Sequence, residues 1–150
     1  MSRLETIAEL LRSQNTLALA ASAAGGAPRV APLFYLPGDG LRLYWFSSAA
    51  SEHARILKGN PAAAVTVFRP AQSWREIRGV QMRGTVSAIT GPGRLPIARA
   101  YAERFHLGSF FQAAISRSRL YVFEPSWVRY IDNSRRFGYR FELNLLSNPP

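Results

Sequence analysis

Three hydroxyl side chains and one imidazole lie close together near the middle of the sequence and carry its clearest chemistry. Ser47, Ser48 and Ser51 follow the aromatic segment 41–46, and His53 comes two residues after Ser51. Hydroxyl groups and free backbone N–H groups at a helix start are well suited to hold a phosphate. Serine is also a common helix cap, so this stretch taken alone favours a plain capped helix over a phosphate site.

Other catalytic chemistries have less support in the sequence. The chain has no cysteine, which excludes disulfides, thiol catalysis and thiolate metal sites. Neither His53 nor His106 has a second histidine or a carboxylate pair at metal-ligand spacing. Ser51 and His53 contain two members of a hydrolytic triad, but we expect side chains so close at a helix start to point apart. No GxGxxG or Walker sequence is present, so neither a dinucleotide fold nor a P-loop is predicted.

The composition is that of one ordinary folded domain, which we place at residues 1–150. Hydrophobic residues make up 47% of the 150 residues, enough for a real core. The lack of cysteine and the charged residues that interrupt any signal-peptide pattern near the N-terminus predict a cytoplasmic protein. No apolar stretch is long enough to span a membrane, so no membrane partner is expected.

The formal net charge of +10 suits an anionic partner such as a phosphate cofactor or a nucleic acid. Lys58 is the only lysine, and the arginines are spread along the chain, so the charge marks no particular surface. Several aromatic residues among the arginines offer stacking for bases: Tyr44, Trp45, Phe46, Trp74, Phe110 and Phe111. Core packing explains most of them more simply, so no specific nucleic-acid partner is expected.

Periodicity predicts short strands joined by tight turns, with a few helices around them. Helices are predicted over 2–13, 51–58, 95–105 and 109–115, and strands over 16–22, 29–36, 41–46, 62–68, 74–89, 119–124, 127–131 and 138–143. Ser2 and Glu5 fit a capping box, and Ser51 is the predicted cap of the second helix. The pattern is mainly β and favours a small closed β-barrel with peripheral α-helices.

Two glycines interrupt the long predicted strand 74–89. Gly79 and Gly84 weaken a simple strand and indicate a bulge or the close approach of another group. Barrel curvature explains them at least as well.

The order of several segments resembles the FMN-binding split-barrel superfamily, the pyridoxamine 5'-phosphate oxidase-like proteins. The matching features are the strand LRLYWF, the turn and helix SSAASEHARIL, the GNP that ends this helix, and the strands AAAVTVF and VQMRGTVSAI. Within that superfamily, IRGVQMRG, AYAERF and IDNSRRFGYR are most similar to the YhbP-like bacterial proteins. The resemblance covers most of the chain and implies a split β-barrel of the FMN-binding type.

The resemblance also implies a homodimer with two FMN molecules at the subunit interface. It places the FMN phosphate where the strand ends and the helix begins, on the positions of Ser47, Ser51, Glu52 and His53, with Ser48 in the same turn. Glutamate beside a phosphate is unfavourable, so the missing positive charge would come from Arg29, Arg55 or Arg78.

The isoalloxazine ring is expected beside the same strand and the start of the long one. The residues implied there are Phe46, Arg78 and Gln81 from one subunit, and Trp127, Asn133 and Arg136 from its partner. Core packing is the alternative for Trp127, and a turn cap is the alternative for Asn133.

The expected function is that of a flavin-dependent oxidoreductase acting on a small molecule, with no catalytic residue assigned. The pyridoxamine-phosphate oxidases have an Arg-Lys pair where this chain has Glu52-His53, which argues against true pyridoxamine-phosphate oxidase activity. The alternatives are a non-catalytic flavin- or haem-binding protein on the same fold, use of the deazaflavin cofactor F420 in place of FMN, and a nucleic-acid-binding barrel.

Overall fold

The computed structural model describes residues 1–146, apart from the side chains of residues 110–112. Its helices are α1 (Arg3–Ser13), α2 (Glu52–Gly59), α3 (Arg94–Arg104) and α4 (Ser109–Arg117). Its strands are β1 (Thr16–Ala21), β2 (Arg29–Phe34), β3 (Leu36–Pro37), β4 (Leu43–Ser47), β5 (Ala62–Phe68), β6 (Arg78–Ile89), β7 (Arg119–Asp132) and β8 (Arg140–Asn144). None of these helices is long and apolar enough to cross a membrane.

The strands form one antiparallel sheet that curls on itself. Its order is β2-β1-β5-β6-β7-β4-β3, and β8 pairs with β7 beside this path. The first and last strands of that order, β2 and β3, are separated in the chain only by Tyr35. A single segment therefore supplies both edges, and the sheet must curve to bring them together. The predicted mainly β fold with peripheral helices, a split barrel, is confirmed.

The core lies inside this curved sheet, where alternate residues of each strand point inward. Trp45, Val67 and Tyr130 are fully buried there. Helix α1 adds Ile7, Leu10 and Leu11 to the same cluster, and its predicted capping box is present, with Glu5 N donating to Ser2 Oγ at 3.1 Å. The buried Tyr35 hydroxyl donates to the Leu11 carbonyl oxygen at 2.6 Å, which ties the segment between β2 and β3 to α1.

Two strand predictions need correction. The strand predicted over 74–89 begins only at Arg78, because Trp74–Glu76 form a 3-10 turn capped by Ser73. The two strands predicted on either side of Pro125 are one strand, β7. Ser126 has no partner in the β6–β7 register, so a bulge at this point lets the strand continue past a proline that cannot donate.

The glycines of β6 are explained by barrel packing. A Cβ atom at Gly79 would lie 2.7 Å from Phe68 Cβ, and one at Gly84 would overlap the carbonyl oxygen of Glu124. The predicted close approach is thus made by neighbouring strands, and the predicted bulge lies beside Gly84.

Candidate functional site

Strand β4 and helix α2 meet at a turn built from serine hydroxyls. Ser47 ends β4 and faces inward, so that it is only 9% exposed. Ser51 caps α2 as predicted: its Oγ accepts from Ala54 N at 3.3 Å and donates to the Ser48 carbonyl oxygen at 2.7 Å. Ser48 Oγ in turn accepts from Ala50 N at 3.1 Å. The turn is thus held in shape by its own side chains.

His53 lies in the first turn of α2 and points back toward the end of β4. Its Nε2 lies 2.9 Å from Ser47 Oγ and 3.3 Å from Ser51 Oγ. The expectation that Ser51 and His53 point apart is wrong, because the first helical turn carries the imidazole back over the cap. Ser51 gives its hydroxyl proton to Ser48, so it is not a nucleophile activated by His53. We call Ser47, Ser51 and His53 the serine–histidine cluster.

The charge state of His53 follows from its position. Burial lowers the pKa of the imidazole, and the neighbouring Glu52 carboxylate opposes this only in part. The ring is therefore neutral near pH 7 and offers one N–H and one lone pair. If Nε2 carries the proton, it donates toward the two serine oxygens.

Arg29 and Glu52 form the exposed rim of this cluster. Arg29, at the start of β2, places its Nε 3.4 Å from Glu52 Oε1, and both side chains are more than half exposed. The structure therefore places Arg29 next to α2, where it forms an ion pair with Glu52. As a surface pair it contributes under about 1 kcal/mol to stability.

The start of α2 also presents unpaired backbone donors. Within residues 1–146, the N–H groups of Glu52 and His53 have no hydrogen-bond acceptor. Free N–H groups of this kind and the positive end of the helix dipole favour an anion. Together with two hydroxyls and an imidazole, they match the donor set expected for a phosphate.

Phe46 directly precedes Ser47 in β4, and its ring packs against two other side chains. It packs edge-on against Tyr101 of α3, with ring centroids 5.2 Å apart, and the Arg94 guanidinium lies over it at 5.4 Å. These contacts fix the Phe46 ring between β4 and α3. Burial raises the pKa of Tyr101 to about 12, so this phenol stays neutral.

Arg78 and Asn133 lie at the other end of the β6–β7 pair. Arg78 Nε donates to the Tyr130 hydroxyl at 2.7 Å. Asn133 Nδ2 donates to the Trp74 carbonyl oxygen at 2.9 Å, and its Oδ1 accepts from Gly138 N at 3.0 Å. Ser47 pairs with Arg119, the first residue of β7, whereas Arg78 pairs with Asp132, the last. Within one chain the two residues are therefore separated by the length of β7, roughly 40 Å. The contacts of Asn133 are those of a turn cap, the alternative role given above for this residue.

The remaining predicted residues lie elsewhere on the surface. Gln81 is exposed on β6, with its Oε1 at 3.5 Å from Arg129 Nη1. Trp127 is partly exposed and lies under the guanidinium groups of Arg83 and Arg129, at 4.2 and 5.1 Å. Arg136 lies over the ring of Tyr139 at 5.8 Å. None of the three contacts the serine–histidine cluster of its own chain.

Arg119 is a residue that the sequence reasoning missed. It lies opposite Ser47 in the β4–β7 register. With Lys58, Ser87 and Tyr121 it lines a cavity of about 360 Å3 beside α2. Only the pairing of β4 with a strand more than seventy residues later brings Arg119 to this turn, so no local sequence signal could have found it.

Three of the aromatic residues considered for base stacking, Trp45, Phe46 and Trp74, already pack against other side chains. Trp45 is fully buried, as the core-packing alternative predicts. Trp74 is 45% exposed, but Arg75 lies 4.5 Å above its ring and Phe137 packs edge-on at 5.4 Å. The side chains of Phe110 and Phe111 lie outside the described part of the chain.

Comparison with known proteins agrees with this architecture. A family model described as pyridoxamine 5'-phosphate oxidase matches residues 4–132. A UPF0306 protein of Yersinia pseudotuberculosis, from the YhbP-like group, is 26% identical over 133 residues, which is 88% of this chain and 86% of that protein.

Solved structures with the same fold include proteins that hold different cofactors. A haem-binding protein from Mycobacterium smegmatis has a TM-score of 0.79 at 19% identity, over 97% of this chain and 59% of that one. An FAD-binding protein from Mesorhizobium loti has a TM-score of 0.63 at 21% identity, over 85% of this chain and 92% of that one. At these identities the likeness shows the fold.

Proposed function

Because this chain belongs to the pyridoxamine 5'-phosphate oxidase family, we propose that it binds FMN and acts as a flavin-dependent oxidoreductase on a small molecule. The observation that carries the proposal is the serine–histidine cluster at the start of α2. Its hydroxyls, its imidazole and the free N–H groups beside it form one anion-binding donor set. The same positions hold the cofactor phosphate in the family that the sequence resembles.

The residues present fit a phosphate group. The Ser47 hydroxyl accepts from His53 and keeps its own proton for a phosphate oxygen. The Ser51 hydroxyl and the His53 N–H would turn to the phosphate from their present acceptors, the Ser48 carbonyl oxygen and the serine oxygens. Arg29 lies close enough to exchange its contact with Glu52 for one with the phosphate. Glu52 lies at the exposed rim, and its charge would then stand unpaired near the phosphate and weaken binding.

The chemistry of the reaction would come from the flavin, which when bound accepts or donates a hydride. The protein would anchor the phosphate through the serine–histidine cluster and orient the ring from the backbone near Phe46. No strongly perturbed acid or base is needed for these tasks. Glu52-His53 replaces the Arg-Lys pair of the pyridoxamine-phosphate oxidases, so we expect no true pyridoxamine-phosphate oxidase activity.

The proposal includes a homodimer. A shallow cavity of about 330 Å3 lies on the outer face of β1, β5 and β6, over a floor of Ala18, Ala20 and Ala64. Val30 borders it and is 70% exposed, while Trp127 forms its far wall. An apolar face of such small side chains allows close approach of another surface. A second copy seated there would bring its own Trp127, Asn133 and Arg136 toward the first copy.

A haem-binding role is the second candidate, and the haem-binding protein with the same fold motivates it. Iron needs an axial ligand, and histidine is the usual one. Nε2 of His53 is engaged with Ser47, whereas the imidazole of His106 makes no hydrogen bond to the described residues. Titration with haemin separates the candidates: a Soret shift lost in His106→Ala supports haem.

An absorption spectrum of the protein reconstituted with FMN tests the proposed function. We expect a flavin band at about one FMN per chain and a higher melting temperature in excess FMN. We also expect NADPH or NADH to bleach that band rapidly and saturably. An unchanged melting temperature in saturating FMN would contradict the cofactor assignment, and FMN that binds but is not reduced would contradict the enzymatic role.

A further inference from the structure

A cavity of about 670 Å3 lies between α3 and α4 and shares no lining residue with the serine–histidine cluster. It exists because α3 turns its large side chains toward the barrel. Tyr101 packs on Phe46, and Phe105 stacks on Phe34 with centroids 4.8 Å apart. On the side facing α4, the small Ala98 and Ala102 leave an open slot between larger side chains such as Leu95.

The two walls of this α3–α4 slot are fixed at both ends. At one end Arg94, in the first turn of α3, donates through Nη2 to the carbonyl oxygens of Ile115 and Ser118, where α4 ends. At the other end a short turn joins the helices, and His106 in it has a φ of 51°. The slot is therefore part of the fold and not a gap between independent helices.

The lining combines an apolar stripe with a charged rim. Leu95, Ala98 and Ala102 recur at helical spacing along α3, and Leu107 and Ile115 face the same space. The rim runs alongside, from Arg99 through Glu103 to His106. Within the described residues Arg99 takes part in no ion pair. The end near Arg94 and Arg99 is cationic, whereas the other end holds a carboxylate.

We propose that the α3–α4 slot binds an amphipathic carboxylate of the fatty-acid class, with its hydrocarbon chain between the helices and its carboxylate on Arg99. The apolar lining requires an apolar body, and the unpaired guanidinium selects an anionic head. Glu103, one turn further along α3, repels a carboxylate and so fixes which way the ligand lies. The volume is in the range of small-molecule sites.

Calorimetric titration of the full chain with palmitate, below its micelle concentration, tests this site. Ala98→Trp fills the slot and is expected to abolish measurable palmitate binding. Ala100→Trp is the matched control, because Ala100 lies on the same helix, is exposed and does not line the slot. Unchanged palmitate affinity in Ala98→Trp would overturn the proposal, as would equal loss in both variants.

A second pair of measurements tests the head group without risk to folding. The exposed Arg99→Gln is expected to weaken palmitate about tenfold and to leave hexadecanol unaffected. The FMN affinity of Ala98→Trp and Arg99→Gln should equal that of the parent chain. A result against palmitate binding in the slot can then be distinguished from a result against the proposed FMN site. Equal affinity of the parent chain for palmitate and hexadecanol would overturn the carboxylate assignment. Dissociation of an oligomer by Ala98→Trp would assign the slot to a second copy instead.

Discussion

The two ends of β7 carry polar clusters of opposite character. At its last residue, the buried Asp132 carboxylate accepts from Ser134 N at 3.0 Å and from the Tyr130 hydroxyl at 3.2 Å. It also faces Arg78 at 3.9 Å and Arg135 at 3.6 Å. At its first residue, the neighbouring serine–histidine cluster shares one imidazole nitrogen between two hydroxyls.

The two clusters differ in how many of their polar groups have hydrogen-bond or ion-pair partners within the same chain. The oxygens of Asp132 are surrounded by donors from the same turn and from β6, so this cluster stabilises the fold. The cluster at α2 keeps free backbone donors and a rim arginine held only by a surface ion pair. Polar groups with donors to spare are those available to a ligand. The predictions below test whether this distinction between a structural and a binding cluster holds.

Removing the Asp132 carboxylate should have the largest effect on stability. Asp132→Ala leaves the partly buried Arg78 without its counter-charge and removes the acceptor of Ser134 and Tyr130, and we expect a loss of roughly 2 to 3 kcal/mol in the free energy of unfolding. Urea unfolding measures this loss. Glu124→Ala is the control, because its pair with Arg42 is exposed and weak. Equal small losses for both variants would contradict a structural role for Asp132.

Removing the two serine hydroxyls should chiefly affect the ligand. In Ser47→Ala/Ser51→Ala we expect FMN affinity to fall at least about tenfold, because two hydroxyl contacts to the phosphate disappear. The loss of the α2 cap should cost only about 1 kcal/mol of stability. Ser116→Ala, whose hydroxyl bonds only within α4, is the control. A large stability loss with unchanged FMN affinity would reverse the assignment of the two clusters.

The pH dependence of FMN binding should identify His53. Burial lowers the pKa of this imidazole in the free protein, and a bound phosphate favours the protonated ring, so binding takes up a proton. FMN affinity should therefore rise as the pH falls through the range between the two pKa values, by less than tenfold per pH unit. Stability of the free protein should change in the opposite sense, since the unfolded chain binds that proton more readily.

His53→Gln keeps a donor at this position but removes the titration. Its FMN affinity should no longer rise as the pH falls from about 7.5 to 5.5, the range in which both histidine and a phosphate monoester titrate. An affinity that still rises toward low pH in this variant would assign the proton to another group.

Glu52→Gln should give the smallest effect. It removes a negative charge near the phosphate and frees Arg29, so FMN affinity should rise about two- to threefold. Stability should change by less than about 0.5 kcal/mol, because the lost ion pair is exposed. The matched change Glu142→Gln weakens the ion pair between Glu142 on β8 and Arg129 on β7, and it should leave FMN affinity unchanged.

Local signals in the sequence explain the parts of the fold that were predicted correctly. Alternation in 62–68 and the cap at Ser51 predict β5 and α2 with bounds close to those observed, because both depend on neighbouring residues. Pro125 misled the strand prediction, because the bulge that accommodates it depends on the facing strand β6. The 3-10 turn at Trp74–Glu76 likewise replaces the start of a predicted strand.

The residues of the candidate site also differ in whether neighbouring or distant parts of the chain determine their position. Ser47, Ser51 and His53 are close in sequence, but their spacing led us to expect Ser51 and His53 to point apart, and the contact depends on how the first turn of α2 directs the imidazole. Arg29 was one of three arginines considered as the source of positive charge beside Glu52, and the start of β2 does reach α2. Arg119 depends on the distant pairing of β4 with β7, which no single-sequence pattern records.

The most direct test of the serine–histidine cluster compares FMN with riboflavin, which has the same ring and lacks the phosphate. Calorimetric titration of the parent chain should show FMN binding at least about a hundredfold tighter, from several charge-assisted hydrogen bonds to the phosphate. In Ser47→Ala/Ser51→Ala that advantage should shrink by at least about tenfold. Equal affinity of the parent chain for FMN and riboflavin would contradict a phosphate site at this turn.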